Sequence, residues 1–231
     1  MTRNRKDTPV VLSRIYTRTG DGGRTRLGDM SETSKTDPRL VAYADVDEAN
    51  CAIGAAIATG RLDPEISALL TRIQNELFDV GADLCRPIAT VGAGEASGRG
   101  TGEASERGVG EASERGADEA GRADRASDGL RITEDYVTGL EAACDRYNED
   151  LTVLRSFVLP GGAPGAALLH VARAVTRRAE RSAWAAIEAH GTSVSELTAR
   201  YLNRLSDLLF ILARQANARW GDVLWKPGGE R

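Results

Sequence analysis

The sequence predicts an all-α fold, a five-helix up-and-down bundle, from three observations. Apolar residues recur at helical spacing in five segments that together cover most of the chain. Residues typical of helix starts precede several of these segments, and only Ser13–Thr17 and Phe157–Leu159 resemble short strands. The 231 residues, 41% of them hydrophobic, are enough to bury one substantial core. Helices of this number and length favour a bundle whose successive members run antiparallel.

The first predicted helix is an alanine-rich segment at about 40–59, which follows an irregular, glycine-rich segment that runs to about Arg39. The second begins at Asp63-Pro64, because proline is favoured in the first turn of a helix. Its predicted buried face consists of apolar residues at helical spacing: Ile66, Leu69, Leu70, Ile73, Leu77, Phe78 and Leu84.

The third and fourth predicted helices are Thr133–Asn148, which has two acidic residues in its first turn, and Pro164–His190. The fifth is capped by Ser193 or Ser195. Its apolar face is formed by Leu197, Tyr201, Leu205, Leu208, Leu209 and Leu212.

Residues 92–129 differ in composition from the rest of the chain. They begin with the eight-residue units GEASGRGT, GEASERGV and GEASERGA and contain no aromatic residue, leucine, isoleucine or methionine. Such a segment cannot bury enough apolar area to offset the entropy lost on ordering, so we expect a disordered insertion in a loop. It interrupts a domain spanning 13–227, which lies between a flexible N-terminus at 1–12 and a tail at 228–231.

Composition and charge exclude several classes of function. The net charge of −4 gives no global reason to bind nucleic acid or an anionic membrane. The insertion has nine acidic and five basic residues, so it accounts for this charge and the remaining chain is neutral. The start of the sequence lacks the apolar core of a signal peptide, and no apolar run is long enough to span a membrane, so we expect a cytoplasmic protein.

The cysteines and histidines suggest no metal site. Cys51, Cys85 and Cys144 are widely spaced, odd in number and without a CxxC pair, which favours buried free thiols. His170 lies on an alanine-rich helix and His190 at a helix end, and structural roles are favoured for both.

The N-terminal segment Thr17–Thr25 combines glycines, hydroxyls and two arginines, with Lys35 shortly after it. Converging backbone N–H groups, hydroxyls and guanidinium groups suit a polyphosphate, although the segment is not a Walker A loop. An ordinary mobile turn is an equally good interpretation of these residues alone.

A second candidate is a stripe on the fourth predicted helix, where Arg173, Arg177 and Glu180 share one narrow face with Trp184, and Arg181 lies at its edge. Beside it, Ala172, Thr176, Ala179 and Ala183 form a face of small residues that lets a neighbouring helix approach closely. The alternative is an ordinary solvated face of paired charges.

Three further residues are candidates for the functional site. Asp47 on the first helix is a possible partner for an arginine of the stripe, and Asn203 on the last helix is a polar residue that a ligand could satisfy. Phe157 either plugs the end of the bundle or faces a ligand, while Trp220 and Trp225 are expected to pack against the bundle.

Together these segments resemble the ATP:cob(I)alamin adenosyltransferases of the propanediol-utilisation (PduO) type. The resemblance runs from about Ser13 to Pro227, apart from the insertion. It is carried by YTRTGDGGRTRLGD, AYADVDEANCAIGAA, LRSFVLPGG, HVARAVTRRAER and YLNRLSDLLFILAR, with the tail LWKPG. It implies a five-helix bundle that forms a homotrimer, with an ATP site and a corrinoid site at each subunit interface.

The resemblance also implies the reaction and its residues. Co(I) of the corrinoid attacks C5′ of ATP, and triphosphate leaves, assisted by Mg²⁺ whose protein ligands are unknown. Arg173, Arg177 and Asp47 are the implied catalytic residues, with Arg173 pairing across the interface with an aspartate, Asp47. Phe157 is implied to displace the lower ligand of the corrinoid. The implied ATP-binding residues are Thr17, Arg18, Thr19, Gly20, Asp21, Gly22, Gly23, Thr25, Lys35, Arg177, Arg178, Glu180, Arg181 and Asn203.

Two alternatives stay open at this point. One is a carrier or regulator that binds nucleotide and corrinoid without turnover. The other is a structural or ferritin-like bundle, which is disfavoured because the sequence lacks the Glu-x-x-His pairs of di-iron sites. A Co(II) reductase and an adenosylcobalamin-dependent mutase are the protein partners that an adenosyltransferase would imply.

Overall fold

The computed structural model describes residues 16–89 and 130–228. The predictions for the N-terminus at 1–12, the insertion at 92–129 and residues 229–231 lie outside the described residues. Within these two ranges the chain forms five helices and one two-stranded sheet, so the predicted all-α bundle is confirmed with a small β addition. The helices are α1 (Pro38–Thr59), α2 (Pro64–Leu84), α3 (Glu134–Asn148), α4 (Pro164–His190) and α5 (Glu196–Ala216).

Successive helices run in opposite directions, as predicted. His190 at the end of α4 contacts Asp37 at the start of α1, while Gly165 at the start of α4 contacts Gly60 just after α1. In space, α4 packs between α1 and α5, α2 lies on α1, and α3 lies on α5. We call the end where α1, α3 and α5 begin the upper end, and the opposite end the lower end.

The helix starts follow local side-chain chemistry. Asp37 and Asp63 cap α1 and α2 by accepting hydrogen bonds from the backbone N–H groups two residues on, and a proline follows each. Thus α1 begins at Pro38, slightly before the predicted start. Ser195 is the cap of α5, because Ser193 lies in a short 3₁₀ turn, Gly191–Ser193.

The core contains the predicted apolar faces of α2 and α5, and the small-residue face of α4 is fully buried at Ala172, Thr176, Ala179 and Ala183. One member of the α2 face was predicted wrongly. The Phe78 side chain is 66% exposed, because it follows the inward-facing Leu77 and is rotated about 100° away from it.

The N-terminal segment is more regular than the sequence predicted. β1 (Arg24–Arg26) pairs antiparallel with β2 (Glu32–Ser34), with Arg24 opposite Ser34. The turn between them is fastened to the end of α2, where Gly28 N–H donates to the Cys85 carbonyl at 2.7 Å. The hairpin therefore lies at the upper end, beside the last turn of α2.

The two short pieces that the sequence marks as strand-like can be checked in part. Of Ser13–Thr17 only Tyr16 and Thr17 are described, and neither lies in a strand. In Phe157–Leu159 a single bridge joins Val158 to Leu224.

Other details of burial differ from expectation. Cys51 is exposed, whereas Cys85 and Cys144 are partly buried, and all three thiols are free. Trp220 and Trp225, which were expected to pack against the bundle, are substantially exposed, and the Trp225 ring packs against Phe157. No helix within the described residues is long and apolar enough to cross a membrane.

Candidate active site

Three of the N-terminal candidates, Thr19, Gly20 and Thr25, line one cavity at the upper end, and Lys35 lies beside Gly20. Gly23 N–H donates to the Gly20 carbonyl at 3.2 Å, and Lys35 N–H donates to the Gly23 carbonyl at 2.9 Å, so the loop folds back on Lys35. The Lys35 ammonium lies so close to Gly20 that an added Cβ would be 2.8 Å from it. The structure thus brings Lys35 and the glycine loop together.

The cavity has a volume of about 510 Å³ and is lined by Thr19, Gly20, Arg24, Thr25, Arg26 and Glu32. This size lies in the range typical of small-molecule sites. The lining supplies hydroxyl donors and two guanidinium groups, of which that of Arg24 is held by Glu32 at 2.6 Å. Arg24 belongs to the predicted segment Thr17–Thr25, but Arg26 and Glu32 were not among the predicted site residues. Arg26 and Glu32 are directly opposite each other on β1 and β2, so their proximity could have been predicted only together with the hairpin.

The arginine stripe of α4 carries positive charge without a carboxylate partner. Within 16–89 and 130–228, Arg173, Arg177 and Arg181 form no ion pair; Arg177 and Arg181 are exposed. Arg173 is partly buried with its guanidinium 5.8 Å from the Phe210 ring centroid, and its Nε has no hydrogen-bond partner. Burial, and then the charge of Arg177, lower the pKa of Arg173. Like charges four residues apart destabilise a helix, so this row favours an anionic ligand.

Arg178 differs from the stripe because it faces the chain's own α1. Its guanidinium donates to Asp45 at 3.2 Å and to Glu48, and these bonds, that to Glu48 foremost, raise the pKa of Arg178. Ser182 Oγ also donates to Asp45 at 2.5 Å. Arg178 therefore helps to fasten α4 to α1.

The remaining predicted residues of the helices fall into two cases. Asn203 Nδ2 donates to Glu180 Oε1 at 3.0 Å, so these two candidates are brought together. Asp47 is exposed on α1 and pairs with neither Arg173 nor any other cation of the described residues. The Arg173–Asp47 pair is thus not made within a single chain.

Phe157 lies at the lower end, far from the N-terminal loop. Its side chain is 79% exposed, and its ring meets Trp225 edge-on with centroids 6.0 Å apart. The two ends of the bundle are separated by α4, whose 27 residues measure about 40 Å. One chain therefore cannot bring the loop and Phe157 to the same small ligand.

The two histidines have structural positions, as expected. His190 Nε2 is 3.0 Å from Asp37 Oδ1 at the upper end. Burial by itself raises the pKa of the Asp37 carboxyl, but hydrogen bonds from Arg39 N–H and Thr33, together with His190, bring it below its ordinary value. His170 is buried against Phe210, and neither of its ring nitrogens has a partner in the described part of the chain.

Comparison with known proteins identifies the family. The sequence model of cobalamin adenosyltransferases matches residues 15–113 and 111–216. The chain belongs to the cobalamin adenosyltransferase family. A corrinoid adenosyltransferase of Mycobacterium tuberculosis (strain H37Rv) is 54% identical over 96% of this chain and 97% of its own length. One of Mycobacterium leprae is 53% identical over 95% and 99%.

A solved structure shares both sequence and fold with this family member. It is a variant PduO-type ATP:corrinoid adenosyltransferase from Lactobacillus reuteri, complexed with cobalamin and ATP. Its TM-score is 0.71 at 30% identity, and the match covers 92% of this chain and 99% of that one. The region that matches the adenosyltransferase family model contains the N-terminal loop, the stripe of α4, Phe157 and Asn203.

Proposed function

We propose that this chain transfers the 5′-deoxyadenosyl group of ATP to the cobalt of a reduced Co(I) corrinoid and releases triphosphate. The observation that carries the proposal is the 54% identity to a corrinoid adenosyltransferase over 96% of the chain, which includes every candidate site residue. The geometry supports it, because a cavity lined by hydroxyl and guanidinium groups and an unpaired row of arginines are suited to a triphosphate leaving group.

The reaction needs positioning and positive charge more than acid–base groups. The electron pair of Co(I) forms the Co–C5′ bond, and the C5′–O bond breaks with its electrons on the triphosphate. No proton has to be removed from the nucleophile. We assign neutralisation of the leaving group to Lys35 and to the unpaired Arg177 and Arg181, with the hydroxyls of the N-terminal loop as further donors.

We infer that the complete site forms between copies of the chain. The N-terminal loop and Phe157 lie at opposite ends of a bundle about 40 Å long, whereas cobalt and C5′ must come within bonding distance. Association would also supply the missing partners of Asp47 and Arg173, as the family resemblance implies. The expected assembly is a homotrimer.

Magnesium would enter with the nucleotide. Among the described residues no cluster of three or more His, Cys, Asp or Glu side chains could hold a metal by itself. The cavity nevertheless offers oxygen donors from Thr19, Thr25 and Glu32, and Mg²⁺ commonly binds one carboxylate together with substrate phosphates. The residues present therefore fit Mg²⁺ shared with ATP, where it would neutralise charge on the triphosphate.

Phe157 is the proposed contact to the lower face of the corrinoid, where it would displace the lower ligand and ease reduction of Co(II). A Co(II) reductase and an adenosylcobalamin-dependent mutase remain predicted partners, and the cytoplasmic location remains a prediction.

The test is an anaerobic assay of adenosylcorrinoid and triphosphate formation from Mg-ATP and Co(I) corrinoid. We expect turnover by the wild type and a loss of about 100-fold in Arg177→Ala, the effect of removing one aligned electrostatic donor. Arg146→Ala is the matched control, because Arg146 is also an exposed helical arginine but pairs with Glu65 on the far side of the bundle. Binding of both ligands without triphosphate release would instead indicate a carrier.

A further inference from the structure

The loop that presents Phe157, residues 149–163, is held at three points by one element. That element is the end of α5 together with the following segment, residues 214–225, which we call the C-terminal support. At the start of the loop, Arg214 Nη2 donates to the Thr152 carbonyl at 2.7 Å. Arg214 is itself fixed by Asp222, whose Oδ2 lies 2.8 Å from Arg214 Nε, and both side chains are largely buried.

The end of the loop is fastened by Asn217, a residue that is 1% exposed. Its Oδ1 accepts from Ala163 N–H at 2.8 Å, and its Nδ2 donates to the Gly161 carbonyl at 3.0 Å. Gly162 between them has φ +100°, and a Cβ there would collide with the Asn217 amide. Only glycine fits this close approach without strain.

The middle of the loop pairs with the support as a short ribbon. Leu159 N–H donates to the Val223 carbonyl, and Trp225 N–H donates to the Phe157 carbonyl, each at 2.8 Å. Ser156 Oγ also donates to the Trp225 carbonyl at 2.9 Å. The backbone of Phe157 is thus anchored directly to Trp225.

The side chain of Phe157 is positioned by the same residue. Its ring stands edge-on to Trp225 with an interplanar angle of 70°, and this is its one aromatic contact among the described residues. Since Phe157 is otherwise exposed, its rotamer depends on this contact. Edge-to-face pairs prefer such an arrangement because the positive edge of one ring meets the negative face of the other.

We propose that Trp225 is a positioning residue for the corrinoid site, and that the C-terminal support sets where Phe157 stands. The proposal rests on the proposed function in one respect, the assignment of Phe157 to the corrinoid. It goes further by assigning a task to a part of the chain beyond the family model's match, which ends at residue 216.

The test compares two tryptophans of the same segment. Trp225→Ala removes the partner of the Phe157 ring, whereas Trp220→Ala is the matched control, since Trp220 is 67% exposed and contacts Arg219 instead. We expect Trp225→Ala to lower kcat with a Co(II) corrinoid and reductant by roughly 3- to 10-fold, the scale of one aromatic pair, with KM for ATP unchanged. Trp220→Ala should match the wild type.

A double-mutant cycle shows whether Trp225 acts through Phe157. If it does, Phe157→Ala combined with Trp225→Ala is no slower than Phe157→Ala alone. Fully additive losses, or equal activity of Trp225→Ala and the Trp220 control, would overturn the proposal.

A spectroscopic readout separates this inference from the proposed function. Electron paramagnetic resonance reports the fraction of bound Co(II) cobalamin that has lost its lower ligand, and we expect that fraction to fall in Trp225→Ala and to stay at the wild-type value in Trp220→Ala. An inactive wild type would refute the proposed function. An active wild type whose lower-ligand fraction is insensitive to Trp225 would refute only the positioning role.

Discussion

Two ion pairs connect α2 with α3 or with the residues just before α3. Their N···O distances are almost the same, but one pair is buried and the other is exposed. Asp83 pairs with Arg131 at 2.7 Å, and their side chains are 0% and 15% exposed. Glu65 pairs with Arg146 at 2.6 Å, with 70% and 66% exposure. The comparison of Asp83→Ala with Glu65→Ala therefore sets a buried ion pair against an exposed one.

The structure sets the expected magnitudes. Removing one partner of a buried ion pair costs about 3–5 kcal/mol. Arg131 would keep its bonds to the carbonyls of Arg86 and Pro87, so the expected cost lies at the lower end of that range. Asp83 also accepts from Ile132 N–H at 2.8 Å, and that buried donor would lose its acceptor. An exposed pair contributes at most about 1 kcal/mol, since water and salt screen it. We expect Asp83→Ala to lower the free energy of unfolding by about 3 kcal/mol more than Glu65→Ala does.

The measurement is urea unfolding followed by circular dichroism at 222 nm, at one chain concentration because association adds to apparent stability. Both variants should keep the wild-type m-value, so that the midpoints report stability. If the two carboxylate variants differ by less than about 1 kcal/mol, the argument from burial fails.

Three further predictions concern other parts of the fold. Burial, followed by the charge of Arg173, lowers the pKa of His170, so the unfolded chain binds more protons below about pH 6.5 and stability falls there by up to about 1.4 kcal/mol per pH unit. His170→Leu should weaken this slope in unfolding curves from pH 7 to 5, and an unchanged slope would contradict the assignment. Gly162→Ala should lower stability by about 2 kcal/mol or more, whereas Gly161→Ala, which has open space around it, should be nearly neutral; equal midpoints would refute the clash with Asn217. Deletion of residues 92–129 should leave kcat largely unchanged, and a large loss would show that the insertion takes part in turnover.

The sequence was sufficient to predict the helices because their determinants are local. Asp63-Pro64 and Pro164 mark starts that the structure keeps, and the apolar period identifies the buried faces of α2 and α5. Phe78 was assigned to the wrong side because apolar type was given more weight than its angle on the helix.

The hairpin could not be predicted in the same way. Its strands have three residues each, and its turn is held by a hydrogen bond from Gly28 to Cys85, a residue more than fifty positions away. Such a tertiary contact leaves no periodic signal. For this reason the sequence indicated the part of the cavity lining that lies in Thr17–Thr25, but not Arg26 and Glu32.

The periodicity of α4 predicted which arginines share a face, but not which of them are already paired. Arg178 is only one position from Arg177, yet it turns toward Asp45 and Glu48 of α1. Its neighbour is left exposed and without an ion pair in the described residues. Pairing depends on the side chains of the opposing helix, which helical spacing alone does not specify.

The distribution of paired and unpaired charge explains how a rigid bundle can present an incomplete site. At the upper end Arg131 fastens the end of α2, and at the lower end Arg214 fastens the Phe157 loop; both guanidinium groups are held by buried or nearly buried carboxylates. Between them, Arg173 and Arg177 near the middle of α4 have no carboxylate partner in the described ranges. The charges that fasten these segments are therefore paired within the chain, whereas Arg177 is left exposed and Arg173 partly buried without an ion pair, available to a polyanionic ligand or a second copy. This division favours a site completed by association over one enclosed within a single bundle.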